Sequence, residues 1–176
     1  MKSTGVVRRV DDLGRIVIPK EIRRTLKIRD GEELEIFVDN NMIFLKKFSK
    51  VSDLGEISKK LIDVASGLIN KTILICDRDV IVSGSGELKK KYINRDLSKE
   101  LSSWILSGES HVKKCLSSIN ILNDDEENYS YIINPIVCFG DVIGAVIILS
   151  SNSDISEFDI NISNMIGQFL GKYVED

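Results

Sequence analysis

The first fifty residues change their apolar and polar rhythm three times. "TGVVRRV" (4–10) and "RIVI" (15–18) are rich in β-branched residues, and Asp11, Asp12 and Gly14 between them are turn formers, so two strands with a tight connection are predicted. Pro19 ends the second strand and suits the first turn of a helix, where its missing N–H costs little. A short helix is predicted from Lys20 to Lys27, with Ile22 and Leu26 on one side. Asp30-Gly31 then turns the chain. Leu34, Ile36 and Val38 alternate with Glu33, Glu35 and Phe37, Asn40-Asn41 makes another turn, and residues 42–48 return as a fourth strand. The predicted order is β-β-α-β-β.

Beyond residue 50 the rhythm lengthens. Leu54, Ile57, Leu61, Val64, Ala65 and Leu68 recur with a helical period, with Ser52 or Asp53 available as a cap. "TILICD" and "VIVSGSG" read as two short strands around Arg78-Asp79, followed by a helical region containing "LSKELSSWILSG". "YIINPIVCFGDVIGAVIIL" gives two more strands around Phe139 to Asp141. A closing helix places Phe158, Ile162, Met165, Ile166, Phe169, Leu170 and Tyr173 on one face. Both ends of this second part are amphipathic helices flanking an antiparallel sheet, and they are expected to pack together on one of its faces.

Charge divides the chain the same way. Residues 1–50 hold 12 Lys/Arg against 8 Asp/Glu, net +4, and residues 51–176 hold 12 against 19, net −7, which together give −3. On the predicted helix Lys20, Arg23, Arg24 and Lys27 fall at i, i+3, i+4 and i+7, one continuous basic stripe. Like charges at this spacing destabilise an isolated helix by a few tenths of a kcal/mol each, so an external anion is expected to offset them, and nucleic-acid phosphate is the obvious candidate. About 50 residues with so little apolar surface is marginal alone, so an intertwined dimer is predicted that sets two basic patches side by side.

The span "MKSTGVVRRVDDLGRIVIPKEIRRTLKIRDGEELEIFVDNNMIFLKKF" resembles the AbrB-type DNA-binding domain over its whole length, through "DDLGR", the "IP" before the helix, "RRTL" on it and the return strand "GEELEIF". The resemblance implies a swapped-hairpin β-barrel formed by two chains, and contacts to double-stranded, A·T-rich promoter DNA by Arg8, Arg15, Arg23 and Arg24. Arg9 faces away from Arg8 in a regular strand and joins Lys2, Lys20 and Lys27 in a second rank. The succession of helix, hairpin, helix, strands and terminal helix, with the ending "GDVIGAVIIL", resembles a GAF domain, which implies a small-molecule-sensing fold. A ligand pocket would then lie on the sheet face opposite the terminal helices, under about Leu88 to Leu122.

The fold class expected is thus α+β: an AbrB-type DNA-binding and dimerisation domain over 1–50, a connecting helix over 51–70 that is also the first helix of the next domain, and a GAF-like regulatory and oligomerisation domain over 71–176. The two halves together resemble a family of transcriptional regulators of spore-forming bacteria. That resemblance implies activation and repression of genes in the forespore, and a homotetramer in which the GAF-like helices of two dimers form a bundle.

Other chemistry finds little footing. No apolar run approaches the roughly 20 residues of a membrane-spanning helix, and "MKSTGVVRRV" lacks the apolar core of a signal peptide, so a cytoplasmic protein is expected. Cys76, Cys115 and Cys138 form no C-x-x-C pair and are read as buried free thiols. His111, the only histidine, is read as a surface loop residue, and Trp104 as core. "GSGELKKK" (84–91) lacks phosphate-loop spacing and reads as a strand end turning into a basic helix start. "NDDEEN" (123–128) lacks the alternate ligands and central glycine of a calcium loop and reads as a solvated loop. No enzyme activity, metal or cofactor is expected. The alternative function is an antitoxin-like protein-binding module, because toxin-neutralising proteins share the β-β-α-β-β fold; their usual acidic, flexible tail is replaced here by an apolar-rich domain.

Overall fold

The computed structural model describes residues 5–123, 125–152 and 154–175. The chain forms two compact units, Met1–Phe48 and Ser49–Asp176.

In the first unit α1 (Lys20–Thr25) precedes a hairpin of β1 (Leu34–Asp39) and β2 (Met42–Lys47). The hairpin pairs Phe37 with Phe44 and turns at Asn40 and Asn41, whose φ of 44° and 64° are what a two-residue turn between right-twisted strands requires. Two expectations are corrected. Residues 5–10 and 15–18 carry no strand ladder, because β1 and β2 pair only with each other and offer these segments no partner within the chain. The helix stops before Lys27, which stands at φ 53°, while the Lys27 N–H donates to the Arg24 carbonyl and the Ile28 N–H to that of Arg23, at 3.3 and 2.7 Å. This left-handed closure unwinds the chain, so the basic stripe is Lys20, Arg23 and Arg24 alone. Among the described residues of this unit only Pro19 is buried, and Val7 is 86% exposed.

The second unit is built on an antiparallel sheet in the order β4-β3-β7-β6-β5, from β3 (Thr72–Cys76), β4 (Ile81–Ser85), β5 (His111–Asn120), β6 (Glu126–Cys138) and β7 (Asp141–Ser150). Helices α2 (Lys50–Asp53), α3 (Gly55–Ile69) and α6 (Glu157–Glu175) and short segments α4 (Lys89–Tyr92) and α5 (Lys99–Ser107) complete it. Both faces of the sheet are covered. On one, Ile73, Ile75, Val146 and Ile148 meet Ile62 of α3 and Ile166 and Leu170 of α6; on the other, Leu74, Ile133 and Ile147 meet Tyr92, Leu101 and Ile105. Strands buried on both sides have no polar face, which is why β3 and β7 read as unbroken apolar runs. A Cβ on Gly144 would lie 2.1 Å from the Cys76 carbonyl oxygen, so β3 and β7 approach as they do only because that position is glycine.

The terminal helix departs from the single apolar face expected of it. Ile166 and Leu170 are buried beside Asp159, Ser163, Gly167 and Gly171, whereas Phe158, Met165, Phe169 and Tyr173 are exposed. The two stripes lie side by side on the helix, and the inner one includes Gly167 and Gly171 because the backbone comes close: a Cβ on Gly171 would sit 2.2 Å from the Val137 carbonyl oxygen. Asp159, buried at its start, accepts from the Ser156 N–H and hydroxyl and pairs with Lys71 at 3.1 Å.

The candidate pocket under Leu88 to Leu122 is filled: Tyr92, Leu97, Leu101, Ile105 and Ile121 pack there, and the Tyr92 hydroxyl donates to that of Tyr129 at 3.0 Å. Burial, and then that hydrogen bond, push the Tyr92 hydroxyl far above its ordinary pKa. Part of "NDDEEN" is likewise not a free loop, since Asp125 (3.0 Å) and Glu127 both pair with Lys91. Burial opposes the Lys91 charge, and these carboxylates outweigh it and raise its pKa. His111 opens β5 rather than lying in a loop and stacks on half-buried Trp104 with ring centroids 4.8 Å apart. Cys76 and Cys138 are buried free thiols, but Cys115 is exposed because it lies in the bulged stretch of the edge strand β5.

Candidate nucleic-acid interface

Residues 11–15 form a tight turn that anchors one of the predicted contacts. The Asp11 N–H donates to the Arg15 carbonyl and the Gly14 N–H to the Asp11 carbonyl, both at 3.1 Å. Gly14 stands at φ 77°, a conformation that costs glycine nothing. The Asp11 side chain closes the turn from within: Oδ1 accepts the Leu13 N–H at 3.1 Å and the Arg15 N–H at 2.8 Å, and Oδ2 accepts Arg15 Nε at 2.7 Å. The Arg15 N–H, and after it the guanidinium, hold the Asp11 carboxyl below the usual carboxylate range.

Helix α1 carries the next group. Pro19 stands at its N-cap, and the Arg23 N–H donates to the Pro19 carbonyl at 3.0 Å. Arg23 and Arg24 share the helix's last turn, where positive charge is favoured by the helix dipole. Arg23 Nη1 pairs with Asp30 Oδ1 at 2.7 Å. Arg24 and Lys20 are exposed on the same helix. Arg8 and Arg9 are exposed on the segment without a ladder, and Arg8 Nη1 donates to the neighbouring Val7 carbonyl at 3.4 Å. Lys27 lies past the helix end, and Lys2 falls outside the described residues.

Other basic residues nearby are engaged elsewhere. Lys47 Nζ reaches Glu32 at 3.0 Å and the Lys27 carbonyl at 3.2 Å, and Arg29 faces Glu32 at 3.7 Å. Glu32 is thus a local counter-ion that takes two cations out of the exposed set. Asp11 and Asp30 were legible in the sequence only as turn formers; the available sign of a further part was an aspartate four residues before an arginine.

The same unit exposes apolar side chains: Val7, Val10, Ile16 and Val17 before the helix, and Ile36, Val38 and Ile43 on the hairpin. Among the described residues no group of His, Cys, Asp and Glu could hold a metal ion, and no helix is long and apolar enough to cross a membrane.

Residues 53–175 match the family described as stage V sporulation protein T C-terminal, transcription factor, and residues 7–52 match that of the antidote-toxin recognition protein MazE, a bacterial antitoxin. Stage V sporulation protein T of Bacillus subtilis is 44% identical over 99% of this chain and 99% of its own length. The chain belongs to the stage V sporulation protein T family of transcription factors. As in that relative, the likeness runs through both units. The front unit is also similar to the transition state regulatory protein AbrB of Bacillus subtilis, 50% identical over 38% of this chain and 73% of that protein. The GAF domain of Thermosynechococcus elongatus PixJ, 11% identical over 73% of this chain and 89% of its own, superposes with a TM-score of 0.55 and shows the GAF fold of the second unit.

Proposed function

We propose that this member of the family binds double-stranded DNA, with a preference for A·T-rich promoters, through Arg8, Arg15, Arg23 and Arg24 of two intertwined chains, and so activates and represses sporulation genes in the forespore cytoplasm. Lys2, Arg9, Lys20 and Lys27 form the supporting set. The observation that carries the reading is the exposure of Arg8, Arg15 and Arg24, with half-buried Arg23, together with exposed apolar side chains in a unit with only one buried residue among those described. Such a unit gains its core from a second copy, and the same pairing doubles the basic patch. We assign DNA binding and dimerisation to residues 1–50, the connecting helix to 51–70 and assembly to 71–176. Two dimers join through the exposed stripes of α6 and of the connecting helix, which contains α3, into a homotetramer. The reading includes no enzyme activity and no cofactor; in the GAF-like unit Tyr92 and its neighbours fill the face on which a small-molecule ligand was expected.

The test is fluorescence anisotropy of the intact chain on duplex DNA across a salt series. Four arginines per chain, each neutralising one phosphate, give about eight contacts per dimer and a slope of log K against log salt on the order of −7. Arg23→Ala with Arg24→Ala abolishes tight binding at an unchanged oligomeric state. A slope near −1 overturns the proposal. The match of residues 7–52 to an antitoxin family favours a second reading, a protein-binding module, which stoichiometric co-purification of a small partner protein would establish.

A further inference from the structure

The four arginines of the proposed interface are not held alike. Asp11 divides its carboxylate between two tasks: Oδ1 takes the Leu13 and Arg15 N–H groups and closes the turn, while Oδ2 takes Arg15 Nε at 2.7 Å. An asparagine would serve the first task equally well, so the turn alone does not account for a charge here. For a purely electrostatic contact that charge is a disadvantage, because an aspartate touching a guanidinium cancels the attraction it would have for phosphate. What the contact supplies is orientation. With Nε engaged and the side chain still 70% exposed, the two Nη nitrogens remain as the pair of parallel donors that guanine O6 and N7 accept. Base reading needs such a fixed fork, since a misdirected guanidinium loses both bonds, whereas a phosphate accepts a cation from many directions.

Arg8 and Arg24 have no carboxylate partner among the described residues, and the long bond from Arg8 Nη1 to its neighbour's carbonyl, at 3.4 Å, leaves the rest of that guanidinium open. We propose that Asp11 is a positioning residue that fixes Arg15 for base reading in the major groove, while Arg8 and Arg24 bind the phosphate backbone. The proposal rests on the DNA-binding reading above and assigns its contacts to two classes.

The experiment uses the full chain and two duplexes of equal length, one selected by the wild-type protein from a randomised pool and the other its scrambled sequence. Dissociation constants are compared across a salt series for the wild type, Asp11→Asn, Arg15→Lys and Arg24→Ala, and light scattering and thermal melting verify the assembly. Arg24→Ala weakens both duplexes in proportion and makes the salt slope less negative by about 0.9 for each phosphate that is no longer neutralised. Asp11→Asn and Arg15→Lys instead reduce the preference for the selected duplex, on the order of tenfold for Arg15→Lys and severalfold for Asp11→Asn. Adding Asp11→Asn to Arg15→Lys reduces it no further, an outcome that a merely structural part for Asp11 would not produce. If Asp11→Asn fails to fold, Arg15→Lys decides by itself, because retention of the preference by that variant removes Arg15 from base reading. A folded Asp11→Asn protein with wild-type preference overturns the positioning part while DNA binding stands. Absence of salt-dependent binding by the wild type overturns the DNA-binding reading itself.

Discussion

Arg23 and Asp30 meet at 2.7 Å, yet the Asp30 side chain is 96% exposed and touches the guanidinium at a single Nη nitrogen. An exposed pair of this kind contributes little to stability. Its effect falls on binding, since a phosphate arriving at Arg23 must displace a local anion. Asp30→Asn is therefore expected to tighten selected and scrambled duplexes alike, by a few-fold at low salt and less at high salt, with no change in melting temperature. Anisotropy titrations at two ionic strengths check this, and a change confined to the selected duplex would contradict it. Asp11 and Asp30 thus illustrate what was illegible at this scale. Turn propensity is local and shows in the sequence, whereas the side chain an aspartate's second oxygen meets depends on where the turn sends the chain.

Lys27 shows how an element's end can be missed when its interior is read correctly. Lys20, Arg23 and Arg24 lie on α1 as their spacing predicts, but the continuation to Lys27 fails because the chain closes left-handed there, at φ 53°. Glycine is the usual occupant of that position, and a lysine on it gives no local sign of the break. Lys27→Gly is expected to stabilise the protein by about 1 kcal/mol, the approximate cost of a left-handed conformation for a residue with a Cβ. Thermal melting at fixed protein concentration reads this as a rise of a few degrees, with at most a small loss of DNA affinity. Strand β5 was missed for a different reason. "HVKKCLSSIN" lies at the sheet edge with most of its side chains exposed and a register shift between Lys113 and Ser117, so it shows neither alternation nor an apolar run. The buried strands β3, β6 and β7 carry the apolar run that β5 lacks. The segments 5–10 and 15–18 had the strand signal without a ladder, because residue preference marks what can pair and says nothing of where the partner is.

At the scale of the whole molecule the second unit exposes apolar side chains along two of its helices. On α3 Val64 and Leu68 are exposed, and on α6 so are Phe158, Met165, Phe169 and Tyr173, although α6 already buries Ile166 and Leu170 against the sheet. Helices that need one apolar stripe for their own core carry a second at adjacent positions, which is the pattern of a helix that packs on two sides. In the proposed homotetramer this second stripe joins two DNA-binding dimers, and tethering them raises affinity for DNA with two sites through effective concentration rather than through new contacts. Met165→Asp with Phe169→Asp places two like charges in the middle of that stripe while leaving Ile166 and Leu170 in the core. The double variant is expected to halve the assembly's mass in light scattering and to retain the melting profile of the GAF-like unit. It is also expected to bind a one-site duplex as the wild type does. Its affinity for a two-site duplex falls on the order of a hundredfold, to the one-site level. A tetramer that survives both substitutions would move the assembly surface away from these helices and leave the exposed stripe of α6 without a part in avidity.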